Sequence, residues 1–311
     1  MRARALGLLL GVAADAVLGD PRRGHPVALF GSVAGRLERA WWADSRPRGA
    51  AYCAVLVGGV VGGGVMAERV AGRFTTGRVL LTAAATWVVL GGRSLAGEGS
   101  ALAAELTADD LAAARRRLPS LCGRDPSSLD ADGLARAALE SVAENTSDAV
   151  VAPLVWGAVA GVPGLLGYRA ANTLDAMVGH LSVRHRRFGW AAARLDDVLN
   201  GVPARLAAFL TAGAAPLVGG RPAASLRAWR ADAAKHPSPN AGPVEAAFAG
   251  ALWRQLGGRT VYPYGVQDRP TLGSGPAPRV ADLARAVRLS RVVTVASALV
   301  AAGVAAVLPP A

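Results

Sequence analysis

Carboxylates and amides recur along this chain at spacings that align them on helix faces. Glu140, Glu144 and Asp148 follow at four-residue intervals, which on a helix stacks three carboxylates on one face, where like charges repel. Water, a cation or facing arginines relieve that repulsion. Asn145-Thr-Ser-Asp148 is echoed 27 residues later by Asn172-Thr-Leu-Asp175, and each Asn–Asp pair at i, i+3 sets an amide beside a carboxylate. Such oxygen ligands suit Mg²⁺, which takes one or two carboxylates plus substrate phosphates. Glu144, Asp148 and Asp175 are thus the expected metal ligands. The bland alternative makes each acid a solvated helix face. Taken together, polar groups flanking an apolar run cost too much to be incidental.

Cations accompany the acids. Arg169 precedes the second Asn–Asp pair, and His180, Arg184, His185, Arg186 and Arg187 form a compact basic cluster. The arginine fork suits phosphate or carboxylate; the competing reading is an anchor on the positive side of a membrane. The two histidines lack a third ligand nearby, which excludes zinc. Arg194-Leu-Asp196-Asp197 places two adjacent carboxylates beside an arginine. Two rigid loops carry further groups. Leu18–Val27 contains two prolines and two glycines and presents Asp20, Arg22, Arg23 and His25, a set able to hold an anion. Lys235-His-Pro-Ser-Pro-Asn-Ala-Gly-Pro243 presents Lys235, His236, Ser238 and Asn240.

The elements that must position these groups are mostly apolar. Of 311 residues, 52% are hydrophobic and 18% charged. Apolar runs cover 50–67, 79–92, 149–167, 202–219 and 292–308, and a membrane helix needs about 20 such residues. The expected fold is all-α: a multi-pass integral membrane protein with about four to six membrane-embedded helices. It forms one polytopic domain over 1–311, with polar segments at 19–48, 93–148, 168–201 and 220–291. Residues 6–18 read as an interfacial or half-inserted helix and 31–42 as an amphipathic one. Helices are expected at 95–106, 108–118 and 245–256, with Asp130 capping the helix that carries Glu140 and a kink at Pro153.

The formal charge of +12 is nearly all arginine, Lys235 being the only lysine, and no nucleic-acid motif accompanies it. Cys53 and Cys122 are isolated, without metal or disulfide spacing. One conflict stands out. A straight span over 149–167 would put Asp148 and Asp175 on opposite sides of the bilayer. Pro153, Gly157, Gly161, Pro163 and Gly164 favour a kinked or re-entrant segment, which leaves the loops around His25, Glu144, Asp175, Asp197 and Asn240 all facing the cytoplasm.

There is no Walker A sequence, dinucleotide fingerprint or nucleophile elbow, and no αβ pattern surrounds Lys235 that would suit a pyridoxal enzyme. The residues alone reach a membrane protein with a Mg²⁺–phosphate site. Gly19-Asp-Pro…His25-Pro, Glu140-Ser-Val-Ala-Glu-Asn-Thr-Ser-Asp148, Asn172-Thr-Leu-Asp175, Ala193-Arg-Leu-Asp-Asp197 and His236-Pro-Ser-Pro-Asn-Ala-Gly242 resemble, in order, the CobD/CbiB family of adenosylcobinamide-phosphate synthases. The resemblance spans nearly the whole chain. It implies an ATP- and Mg²⁺-dependent ligase of the cell membrane. Its reaction joins (R)-1-aminopropan-2-ol, or its phosphate, to a propionate of the corrinoid adenosylcobyric acid. Membrane lipid and other corrinoid-pathway enzymes are the implied partners, and nucleic acid is not. On that reading Glu140, Glu144, Asn145, Asp148, Asn172 and Asp175 serve catalysis, and Asp196 or Asp197 accepts the amine proton. Asp20, His25, Arg169, Arg184, Arg186, Arg187, Lys235, His236, Ser238 and Asn240 hold substrate. The rivals are an AmpE-like signalling protein without turnover and a proton-coupled transporter using Asp175 and His180.

Overall fold

A computed structural model describes residues 2–21, 24–180, 182–260 and 265–308, and the backbone of 261–262. Its helices run in order α1 (Arg2–Leu18), α2 (Pro26–Trp41), α3 (Arg46–Ala71), α4 (Thr75–Val89), α5 (Gly92–Thr107), α6 (Leu111–Arg117), α7 (Ala131–Thr146), α8 (Ala152–Val178), α9 (Trp190–Ala214), α10 (Pro222–Asp232) and α11 (Ala241–Leu252). Two antiparallel strands, β1 (Leu256–Tyr262) and β2 (Gly265–Leu272), precede α12 (Val280–Val307). Five helical stretches are long and apolar enough to cross a membrane: Arg46–Ala71, Thr75–Thr107, Ala131–Val178, Trp190–Val218 and Val280–Val307. The chain is therefore all-α, apart from one hairpin, and a multi-pass membrane protein. It divides into two compact units, one of residues 1–91, 152–200 and 298–311, the other of 92–151 and 201–297.

In the first unit α1 lies along α4, and glycine permits the approach. A Cβ on Gly11 would meet Thr86 Cβ at 2.3 Å, and one on Gly7 would meet Thr82 Cβ at 2.5 Å. Small residues at such a seam let membrane helices touch without a hydrophobic driving force. The helix read as interfacial is thus packed along its length against a span.

The apolar run at 149–167 doubles back. Gly161 adopts φ 63° and ψ −146° inside α8, a left-handed conformation that glycine reaches without steric penalty. Beyond it the two limbs lie side by side: a Cβ on Gly164 would meet Trp156 O at 2.2 Å, and one on Gly157 would meet Leu165 Cδ2 at 2.8 Å. On a straight helix, residues eight apart are about 12 Å apart along the axis. The break therefore sits at Gly161 rather than at Pro153, because reversal needs a positive φ that proline cannot adopt. Its backbone ends are satisfied by charge. Glu68 of α3 accepts a hydrogen bond from Val162 N at 2.8 Å, and Arg4 Nη1 donates to Ala158 O at 3.2 Å. An anion at the start of one limb and a cation at the end of the other both suit the helix dipoles. The apolar residues before the turn, 149–160, span only about 18 Å, short of the roughly 30 Å hydrocarbon core. A reversal of this kind is what the re-entrant reading requires.

In the second unit, Asp130 caps α7 as expected, accepting from Gly133 N at 2.8 Å. The junction that follows it is a π turn over Ser147–Val151, the wider helical form that often marks functional positions. Helix α11 is buried on every side, as an all-round apolar helix must be. It ends earlier than the expected 245–256. Trp253 turns left-handed at φ 54°, and Gly257 and Gly258, with φ of 83° and 80°, lie in β1 beside a register shift.

Candidate functional site

The second unit holds a polar cavity of about 200 Å³. Its wall from α7 is Glu140, Ser141, Glu144 and Asn145, one face at the spacing read from the sequence. The facing wall was not anticipated. Arg124 and Cys122 come from the loop before α7, Arg269 from β2 and Glu245 from α11. Glu140, 2% exposed, pairs with Arg124 and accepts Gly257 N at 2.8 Å. The like-charge face is thus relieved by arginine. Asn145 turns its amide back, donating to Ser141 O at 3.0 Å, which orients it without a ligand. Burial pushes the Cys122 thiol up, which disfavours a thiolate nucleophile there.

Glu245 is 1% exposed, and burial first, then the charges of Glu140 and Glu144, raise its carboxyl well above the ordinary range. Its Oε1 lies 3.6 Å from Nε2 of His236. The prolines of the 235–243 loop hold that histidine by its other nitrogen, which accepts Ser238 N at 3.0 Å. Nδ1 also lies 3.2 Å from Ser238 O; in the tautomer that accepts from Ser238 N, the ring proton sits on Nε2, toward Glu245. Burial holds His236 below its usual value, in keeping with that neutral form. Ser238 Oγ also accepts Ala241 N at 3.1 Å, starting α11, and Asn240 Oδ1 accepts from Arg205 at 3.0 Å. Lys235 is tied to Asp232 at 2.6 Å. The expected loop residues therefore build the cavity floor more than they line it.

The remaining expected residues other than Asp148 stand in the first unit. Asn172 Nδ2 donates to Asp196 Oδ1 at 3.2 Å, Asn200 Nδ2 to its Oδ2 at 2.9 Å, and Tyr168 to Asn200 Oδ1 at 2.9 Å. Arg169 reaches Asn172 at 3.5 Å and lines a mainly apolar cavity of about 180 Å³. Asp197 pairs with Arg194 at 3.1 Å. Asp20 and His25 face each other at 3.8 Å, while His25 Nδ1 caps α2 through Val27 N at 3.2 Å. Arg22 and Arg23 lie outside the described residues. Asp175 closes α8, and its Oδ1 would stand 1.8 Å from a Cβ on Gly179.

The basic cluster contains an acid that the spacing did not reveal. Glu38 of α2 accepts from Arg184 Nε at 3.0 Å and Nη2 at 2.9 Å, and meets His185 Nε2 at 3.1 Å. Burial works against its charge, but the hydrogen bonds from His185 and Arg184 prevail and hold its carboxyl low. Arg184 also stacks over Trp42 at 4.7 Å, so its fork is engaged by neighbouring side chains at the surface. Arg187 reaches Asp44 at 3.6 Å with both side chains more than half exposed. Arg186 N donates to Ser182 O at 2.9 Å in the turn that carries the cluster.

The expected trio of metal ligands is divided between the two units. Glu144 and Asp148 belong to the second unit and Asp175 to the first. Among the described residues, no three His, Cys, Asp or Glu side chains are grouped to hold a metal ion. The two copies of the Asn-Thr-X-Asp motif thus belong to different compact units.

Comparison with known proteins decides the relationship. The family described as CobD/Cbib protein matches residues 8–290. The chain belongs to that family. It is 58% identical over 298 residues to a cobalamin biosynthesis protein CobD from Mycobacterium tuberculosis strain H37Rv, covering 96% of this chain and 95% of the relative. A CobD from Stutzerimonas stutzeri is 45% identical over 293 residues, covering 88% and 89%, and one from Rhodobacter capsulatus 43% over 295 residues, covering 91% and 92%. No solved structure matches the chain. The family is thus reached from sequence over nearly the whole length, including every motif that carried the resemblance.

Proposed function

We propose that this CobD-family protein forms the amide between a propionate of adenosylcobyric acid and 1-aminopropan-2-ol or its phosphate, with ATP as the activating substrate. Family membership and the names of the relatives support a role in cobalamin biosynthesis. The observation that carries the finer reading is the second-unit cavity, where three glutamates and two arginines meet within about 200 Å³. Arginines suit phosphate and carboxylate oxygens, and glutamates suit an ammonium. A small molecule bearing both charges matches that lining.

ATP, accompanied by Mg²⁺, supplies the phosphoryl group that turns a propionate oxygen into a leaving group. The chain's own task is then to hold acyl donor and amine together, exclude water and manage the amine's protons. Buried Arg124, fixed by Glu140, and Arg269 supply positive charge next to the reacting oxygens. Holding the propionate arm and the amine in one site removes most of the entropy cost of their encounter. Membranes carrying the protein, incubated with adenosylcobyric acid, aminopropanol phosphate, ATP and Mg²⁺, should yield the amide by mass spectrometry. Product-free membranes with intact protein would favour a role without turnover.

A further inference from the structure

Within that cavity one group stands apart. Helix α11 is wholly buried and, except for Glu245, carries no charged side chain. Glu245 Oε1 and His236 Nε2 face each other at 3.6 Å, each without a hydrogen-bond partner, in side chains 1% and 2% exposed. Native proteins pair nearly all buried polar atoms, and an unpaired couple beside a cavity points to a ligand or to chemistry. A carboxyl in an apolar helix also destabilises the fold, so a packing role does not account for it. Glu245 lines the cavity; His236 stands behind it.

We propose that Glu245 takes the proton from the attacking amine, with His236 Nε2–H steadying the carboxylate before transfer. This rests on the amide-forming reading above. The amine arrives as R–NH₃⁺ and ion-pairs with the Glu245 carboxylate, releasing to solvent the proton that the empty site carries. One ammonium proton then passes to Glu245 and frees the nitrogen lone pair. As the N–C bond forms, the bond from the acyl carbon to the phosphate oxygen breaks. The second nitrogen proton leaves on the phosphate, so the products are amide, phosphate and protonated Glu245.

Proton affinity is what makes an ordinary carboxylate unsuitable here. It falls short of an alkylamine's by about a millionfold, whereas a general base works best when the gap is small. Burial, together with Glu140 and Glu144, moves Glu245 in the required direction, while Arg124 and Arg269 oppose it. His236 faces it as well, and the Cys122 thiol lines the same cavity. Asp196 and Asp197, the acids first considered for this step, are engaged by Asn172 and Asn200 and by Arg194 respectively.

The experiment compares amide formation by wild-type and Glu245→Gln membranes across pH 7–9. Glutamine keeps the shape and removes the base. At pH 7 the variant should lose about 10²- to 10⁴-fold in rate. That deficit should shrink about tenfold per pH unit as free amine accumulates below its own pKa of about 10. A loss that stays constant across this range would make Glu245 structural and overturn the inference. Should Glu245→Gln fail to accumulate, Glu245→Asp is measured instead. It retracts the carboxyl by one methylene and is expected to show a smaller deficit that still closes with pH; a pH-independent deficit overturns the inference equally. If wild-type membranes make no amide at any pH, the amide-forming reading falls, and this assignment falls with it.

Discussion

Glu68 Oε1 accepts the backbone N–H of Val162 at 2.8 Å, one residue past the glycine that reverses α8. Both sides of this contact are sharply constrained, since a Cβ on Gly161 would lie 2.4 Å from the same oxygen. Gly161→Ala should therefore incur about 1–2 kcal/mol for the left-handed backbone, plus the lost cap, worth about 1 kcal/mol. Thermal unfolding in detergent should show a midpoint lower by several degrees. Glu68→Gln, which keeps an acceptor, should have a smaller effect than Glu68→Ala. An unchanged midpoint in Gly161→Ala would contradict the reversal.

Topology offers an independent check. In a background lacking Cys53 and Cys122, single cysteines at Val155 and Thr173 should react with a membrane-impermeant maleimide from the same side. Labelling from opposite sides would mean that the limbs cross the bilayer separately.

Glu38 fastens the basic segment after α8. Glu38→Gln removes the negative charge that holds Arg184 and faces His185 Nε2. Trypsin should then cut at Arg184, Arg186 or Arg187 at least several-fold faster in membranes held under native conditions. Equal cleavage rates would show that Glu38 does not fasten the segment.

Stability should depend on Glu245 in a direction opposite to most acids. Its folded-state carboxyl titrates above the unfolded one, so the folded chain binds the extra proton between those values. Stability then falls as pH rises through that window, starting near the ordinary carboxylate range. Glu245→Gln never has this proton to lose. Its unfolding midpoint should exceed wild type by an amount that grows from pH 5 to pH 8. A gain in stability with a loss of activity is the common signature of a functional group held in an unfavourable place.

Local chemistry was legible in the sequence, and distant convergence was not. Asp130 announces α7 because a cap and its helix are neighbours in the chain, and the apolar runs announce spans by length alone. The Glu140–Glu144 face follows from helical period. Arg124, Glu245 and Arg269 meet that face from a loop, a helix and a strand, and no spacing encodes such a meeting. Glu245 still left a trace, as a single acid in an apolar stretch between Ala241 and Leu252. The Asn-Thr-X-Asp echo shows the same limit: the repeat is plain in the sequence, and its two copies belong to different compact units. Glycine and proline marked the reversal in α8, yet only backbone angles distinguish Gly161 from Pro153 as its pivot.

The reversal also bears on how the chain is made. Arg4 and Glu68, which satisfy the backbone at the turn, are both synthesised long before residues 152–178. A ribosome delivers the chain from its N-terminus at about 5–20 residues per second. The groups that receive the hairpin are therefore already in place, seconds ahead, when the hairpin itself emerges. A circular permutant that begins after Arg69 would reverse that schedule, and the hairpin would have to wait in the membrane with its turn unsatisfied until the end of translation.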